Sequence, residues 1–168
     1  MESALSLGSN EGDRIARLSD ARRRILAIPG VTELARSPLY ETEPVDVKPE
    51  FQDRKFLNAV LIVEADLTPR EWLAHAQRIE AEMGRVREGK DRNAPRPIDI
   101  DLLYLGRHCV DSKTLIVPHP RWAKRAFVLR PLADVRPDKI LPGVSRTVAQ
   151  ILADLVDETE MSRLPDEW

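Results

Sequence analysis

The chain has 168 residues, 42% hydrophobic and 32% charged, with a net charge of −2, a composition that suits one soluble domain over 1–168 and excludes bulk electrostatic capture by nucleic acid or an anionic membrane. The single cysteine, Cys109, excludes an internal disulfide and suggests no thiolate zinc site. With no basic-then-apolar leader and no apolar run of membrane-spanning length, a cytoplasmic location is expected.

A first strand is expected over 3–7, ended by Gly8-Ser9-Asn10, a turn into a helix rather than a phosphate loop. The helix runs over 13–28, where Ile15, Leu18, Ala21, Ile25 and Ile28 recur at helical spacing and the arginines lie mostly on the solvated side. Pro29-Gly30 stops it. A second strand is expected over 31–41, followed by Thr42-Glu43-Pro44-Val45 and a polar loop over 46–55. The third strand, 56–64, alternates: Leu57, Ala59, Leu61 and Val63 on one face, Phe56, Asn58, Val60 and Ile62 on the other. Asn58, in so apolar a strand, requires a hydrogen-bond partner, from local backbone or from a ligand.

Thr68-Pro69-Arg70-Glu71 is a helix start with an N-cap, a proline in the first turn and a capping-box glutamate. The helix runs to Met83 and stops at Gly84. Trp72, Ala76, Ile79 and Met83 form its core stripe; Leu73, Gln77 and Glu80 run beside it, and Gln77 and Glu80 read as solvent-facing by default. A basic loop carrying Arg85, Arg87, Gly89, Lys90 and Arg92 follows. Arg92-Asn93-Ala94-Pro95-Arg96-Pro97 then leads into Ile98-Asp99-Ile100-Asp101-Leu102. Strand alternation places Asp99 and Asp101 on one face, roughly 7 Å apart at the backbone. Two carboxylates so placed repel each other unless a cation lies between them, and Mg²⁺ typically combines one or two carboxylates with phosphate oxygens. The upstream arginines suit those phosphates. The plainer reading is a half-solvated strand with acids on its wet face.

Gly106 turns the chain, 108–110 is expected to pair back as a hairpin arm, and His119 sits between Pro118 and Pro120 ahead of Arg121, Lys124 and Arg125. A last helix is expected over 147–155. The order strand–helix–strand–strand–helix–strand is the split βαβ pattern of an α+β, ferredoxin-like domain. Its helices cover one face of a mainly antiparallel sheet, with a C-terminal hairpin and helix added. Leu57, Leu61, Ile98, Ile100 and Leu102 then lie under the helices, and Phe56, Asn58, Asp99 and Asp101 share the open face.

The run Arg92-x-Ala94-Pro95-Arg96-x-x-Asp99-Ile100-Asp101-Leu102-Leu103 resembles the signature of the 6-hydroxymethyl-7,8-dihydropterin pyrophosphokinase family. Gly8-Ser9-Asn10, Thr42 with Pro44, Phe56-Leu57-Asn58-Ala59, Gln77-Arg78-Ile79-Glu80, Gly84-Arg85-Val86-Arg87, Val117-Pro118-His119 and Arg125-x-Phe127 agree with it in order. The resemblance implies a ferredoxin-like enzyme that moves diphosphate from MgATP to the hydroxymethyl group of a reduced pterin and releases AMP, in folate biosynthesis. It implies that Asp99 and Asp101 hold two Mg²⁺ ions, that Arg85, Arg87, Arg96, His119 and Arg125 meet phosphates, and that Leu73 and Gln77 lie near the nucleotide. Phe56 and Phe127 would sandwich the pterin, with Thr42, Pro44, Val45 and Asn58 at its edge. A monomer with ATP and the pterin as its small-molecule partners is expected, with 46–55 and 88–94 as closing loops. The rival classes are a non-catalytic ligand-binding module on the same fold and a nucleic-acid binder; the second calls for a basic sheet with stacking aromatics, whereas this open face carries acids.

Overall fold

The computed structural model describes residues 1–44, 48–51, 54–84 and 96–168. Its elements are β1 (Glu2–Ser9), α1 (Arg14–Leu26), β2 (Thr32–Arg36), β3 (Leu39–Thr42), β4 (Phe56–Glu64), α2 (Pro69–Glu82), β5 (Asp99–Leu105), β6 (Val110–Asp111), β7 (Ile116–Val117), α3 (Ala126–Val135), α4 (Val148–Asp154) and β8 (Met161–Leu164), with 3₁₀ turns at Pro49–Phe51 and Trp122–Lys124. The main sheet is ordered β5-β1-β4-β3-β8, with β2 also on β4, and every pairing is antiparallel. This is the ferredoxin-like arrangement, extended at one edge by the C-terminal strand. Among the described residues, no helix is long and apolar enough to cross a membrane.

Local chemistry sets the element ends. Asp13 caps α1 by accepting from the Ala16 N–H, and Thr68 with Glu71 completes the capping box of α2. Gly84 ends that region at φ 91°, a conformation only glycine adopts cheaply. The second strand expected over 31–41 is in fact two. Pro38 has no N–H to give a ladder and restrains Ser37 before it. Ser37 replaces the lost regularity with two bonds to β4: its N–H donates to the Val60 carbonyl and its Oγ accepts from the Val60 N–H, each at 2.9 Å.

The faces of β4 sort as alternation requires, and those of β5 do so as far as Leu103, where a register shift opposite Ala4 and Leu5 puts Tyr104 on the same side. Leu5, Leu7, Leu57, Leu61, Ile98, Ile100 and Leu102 join α1 and α2 in the larger core. The opposite face differs from the fully open face expected. α3 and α4 cover its far end, where Ala4, Val60, Ile62, Leu103 and Tyr104 pack against Trp122, Val128, Leu129, Leu132 and Val148. Among the described residues, the end carrying Phe56, Asn58, Asp99 and Asp101 lacks that cover. The proline inside α3, Pro131, is a residue that ordinarily breaks a helical reading.

Candidate active site

Register brings the polar residues of three strands into line. Gly8 of β1 pairs with Asn58 on one side and Asp99 on the other, and Ser6 pairs with Val60 and Asp101. The central strand therefore contributes glycine and serine where its neighbours contribute an amide and two carboxylates. A Cβ at Gly8 would stand 3.1 Å from Asn58 Oδ1, so the glycine gives the amide its room. Asn58 Nδ2 donates to Thr42 Oγ1 at 2.9 Å, and both residues are buried. The partner that Asn58 requires is thus a side chain of β3.

Cations gather around the aspartates. Arg96 Nη1 lies 3.2 Å from Asp99 Oδ2. The backbone of Arg96 is held by the β1–α1 turn: its N–H donates to Asn10 Oδ1 at 2.8 Å, and its carbonyl accepts from the Asn10 N–H at 3.4 Å. Asn10 is buried, and its Nδ2 has no partner among the described residues. Arg125 is half-buried; burial and the neighbouring Arg121 lower its pKa, while Asp101 and Asp99 pull the other way. Its guanidinium lies over the Phe127 ring, 5.4 Å from the centroid, a cation–π contact at the start of α3.

His119 closes this group. Its N–H donates to the Leu103 carbonyl at 2.9 Å, and its Nδ1 accepts from the Arg121 N–H at 3.1 Å. The second bond leaves Nε2 as the protonated nitrogen of the neutral ring. Burial, joined by Arg125 and Arg121, pushes the imidazole below the ordinary histidine value of 6.5, against an opposing pull from Asp99. A depressed histidine means that the unfolded chain takes up the proton first as pH falls. The stability of the unliganded protein is therefore expected to drop below about pH 6.5, and this contribution to stop changing only beneath the folded value. Urea midpoints between pH 7.5 and 5 should show a shallower slope in His119→Asn; an unchanged slope would mean that His119 is not held neutral.

One residue expected to face solvent does not. Glu80 is 1% exposed, and its Oε1 accepts from the Ile100 N–H at 2.9 Å. β5 is an edge strand, and Ile100 lies between the two aspartates. Glu80 therefore occupies the outer edge of the strand at the point where the carboxylates are displayed. Neither Glu80 nor Asn10 was identifiable from spacing as a support of the site; the available signal was a polar residue abutting an apolar stripe.

The other expected site residues divide. Asp99, Asp101, Arg96, His119, Arg125, Phe127, Phe56, Asn58 and Thr42 are brought to one end of the sheet, and Pro44 follows directly after β3. Leu73 and Gln77 are not brought into that cluster: they lie on α2, Leu73 against the helix-side core and Gln77 exposed. Val45, Arg85, Arg87 and the loop 88–94 lie outside the described residues, as does part of 46–55.

Fold and site together define a ferredoxin-like protein with paired carboxylates and facing cations at one end of its sheet. The sequence model of 7,8-dihydro-6-hydroxymethylpterin-pyrophosphokinase matches residues 4–137, and the chain belongs to that family of folate-biosynthesis pyrophosphokinases. It is 42% identical to the 2-amino-4-hydroxy-6-hydroxymethyldihydropteridine pyrophosphokinase of Methylorubrum extorquens, across 90% of this chain and 91% of that protein. It is 39% identical to the folic acid synthesis protein fol1 of Pneumocystis carinii, across 96% of this chain but only 21% of that longer protein. The solved structure of Plasmodium falciparum HPPK-DHPS wild type with pteroate superposes with a TM-score of 0.68 at 14% identity, over 90% of this chain and 42% of that one. At that identity the likeness concerns the fold alone.

Proposed function

We propose that this chain transfers diphosphate from ATP to the hydroxymethyl oxygen of 6-hydroxymethyl-7,8-dihydropterin at the end of the sheet described above. The pterin hydroxyl oxygen bonds to the β-phosphorus, the bond from that phosphorus to the α–β bridging oxygen breaks, AMP leaves, and the hydroxyl proton is released. The observation that carries this reading is the alignment of Asn58, Gly8 and Asp99 across three strands, with Asp101 two residues on and Arg96, Arg125 and His119 beside them. A pterin edge and a polyphosphate need those two halves to be adjacent.

The donor set suits magnesium. Asp99 and Asp101 offer hard oxygens on one face, and no cluster of three or more metal-ligating side chains occurs among the described residues. Two carboxylates with the remaining positions left to phosphate oxygens and water is the usual Mg²⁺ arrangement. Two such ions, held by these aspartates, would neutralise charge on the transferring phosphates. Arg96, His119 and Arg125 bind phosphate oxygens, with Arg85 and Arg87 joining them. Phe56 and Phe127 stack on the pterin, while Asn58, Thr42, Pro44 and Val45 border its edge. Leu73 and Gln77 border the nucleotide from α2. An active monomer in the cytoplasm accompanies this reading.

The direct assay is product analysis with ATP, Mg²⁺ and the reduced pterin. AMP and pterin diphosphate are expected in equal amounts. ADP instead of AMP would overturn the diphosphate transfer, and pterin binding without any product would favour a non-catalytic binding module.

Glu80 provides a second test. Its removal in Glu80→Ala leaves the Ile100 N–H without its acceptor, at a cost of about 1–3 kcal/mol. Turnover of the folded protein should also fall by about tenfold, since modest misplacement of phosphate-holding groups is costly. Glu80→Gln retains an acceptor oxygen and should recover most of both losses. Urea unfolding and kcat, measured together, check this; full activity in the alanine variant would remove Glu80 from the site.

A further inference from the structure

The residues beyond the family match at 4–137 are tied to the site at both of its walls. The first wall is the start of α3, which carries Arg125 and Phe127. A helix start has unsatisfied N–H groups, and the residue at the N-cap ordinarily satisfies one with its side chain. Here that position is Arg125, which makes no such bond; a guanidinium has no acceptor to offer. The acceptor comes instead from far along the chain. Asp157 Oδ2 accepts from the Ala126 N–H at 3.1 Å, while its Oδ1 accepts from the Thr159 N–H at 2.9 Å. A negative charge at this end of the helix is also favoured by the helix dipole.

The second wall is β3, which carries Thr42, the partner of Asn58. β8 pairs along it, Thr42 opposite Met161 and Leu39 opposite Leu164. Beyond β8, Trp168 is 6% exposed, and its Nε1 donates to the Ser37 carbonyl at 2.8 Å, at the break that starts β3. The segment 157–168 therefore begins on the helix end that bears Phe127, pairs along the strand that bears Thr42, and finishes at the break before that strand.

We propose that 157–168 is a strap that sets the separation of the two pterin-facing walls, with Asp157 as a positioning residue that acts through the Ala126 backbone on Arg125 and Phe127. At the start of α3 a local capping rule and the site make opposite demands on one position. The N-cap position asks for Ser, Thr, Asp or Asn. An arginine beside the aspartates stands there instead, and the capping role passes to a residue outside the site. Without Asp157 the first turn of α3 frays, and it is the turn that holds both side chains. This inference rests on the proposed roles of Arg125 and Phe127.

The test is steady-state kinetics on the full chain with Asp157→Ala, Asp157→Asn, Asp157→Glu and Phe127→Ala, each checked by thermal unfolding. Asp157→Ala should raise KM for the pterin by about fivefold, following the usual cost of losing a cap acceptor, and lower kcat as well through the displaced Arg125. Asp157→Asn keeps an acceptor oxygen in place and should restore most of the affinity. Asp157→Glu keeps the charge but displaces the oxygen, so its KM should exceed that of the asparagine variant; this comparison stands even if the alanine variant does not fold. A purely structural cap would lower the melting temperature and the active fraction, and so kcat, with KM unchanged, and that pattern would overturn the proposal. Unchanged pterin KM in Phe127→Ala would remove the site reading itself. A raised KM in Phe127→Ala with wild-type KM in all folded Asp157 variants would leave the site standing and remove the strap.

Discussion

Alanine at Asp99 or at Asp101 is expected to lower kcat by about 10²-fold or more, because in the proposed reaction both the metal and the charge stabilisation it would bring to the phosphates depend on these oxygens. The fold should survive. Both side chains are partly exposed at the uncovered end of the sheet, outside the two apolar cores. Loss of one carboxylate also relieves its repulsion with the other when no metal is bound. Steady-state turnover at saturating Mg²⁺, with thermal unfolding as the control, separates the two effects. Near-normal kcat in either variant would mean that the aspartates form only the wet face of an edge strand.

The second large effect concerns recognition. Phe127 is half-buried against the smaller core, and the Arg125 guanidinium lies over its ring. Truncation to alanine should cost about 2 kcal/mol of pterin affinity, about thirtyfold in Kd, through lost apolar contact and ring stacking. Binding of a non-hydrolysable ATP analogue should change by less than about threefold, since the phosphates are met by charged groups. Calorimetry with each ligand decides this. Equal losses for both would make Phe127 an ordinary core residue whose removal disturbs the whole of α3.

Much of the site was legible because strands have a period of two. Once β4 and β5 are recognised, Phe56 with Asn58 and Asp99 with Asp101 must share a face, whatever else happens. The capping box at Thr68 and Glu71 was equally plain, since its chemistry is local. Long-range features were not legible. Pro131 concealed α3, which packs tightly enough on Val60, Ile62 and Tyr104 to tolerate the missing helix bond. Ser37-Pro38 concealed the break between β2 and β3, because the bonds to Val60 that compensate for it come from another strand. Glu80 sits one helical turn from exposed Gln77, and nothing in α2 alone shows that it reaches the edge of β5. β8 has almost no apolar pattern of its own; it is a strand because β3 offers an edge.

At the uncovered end of the sheet, the aspartate side is expected to hold the phosphates and the Asn58 side the pterin, on the same face and across Gly8. The measurement that tests it most directly is a crystal structure with Mg²⁺, a non-hydrolysable ATP analogue and 6-hydroxymethyl-7,8-dihydropterin bound together. Metal is expected on Asp99 and Asp101, phosphate oxygens against Arg96, His119 and Arg125, and the pterin ring between Phe56 and Phe127 with its polar edge at Asn58. A pterin bound away from Asn58, or aspartates that touch no metal while both substrates are bound, would contradict it.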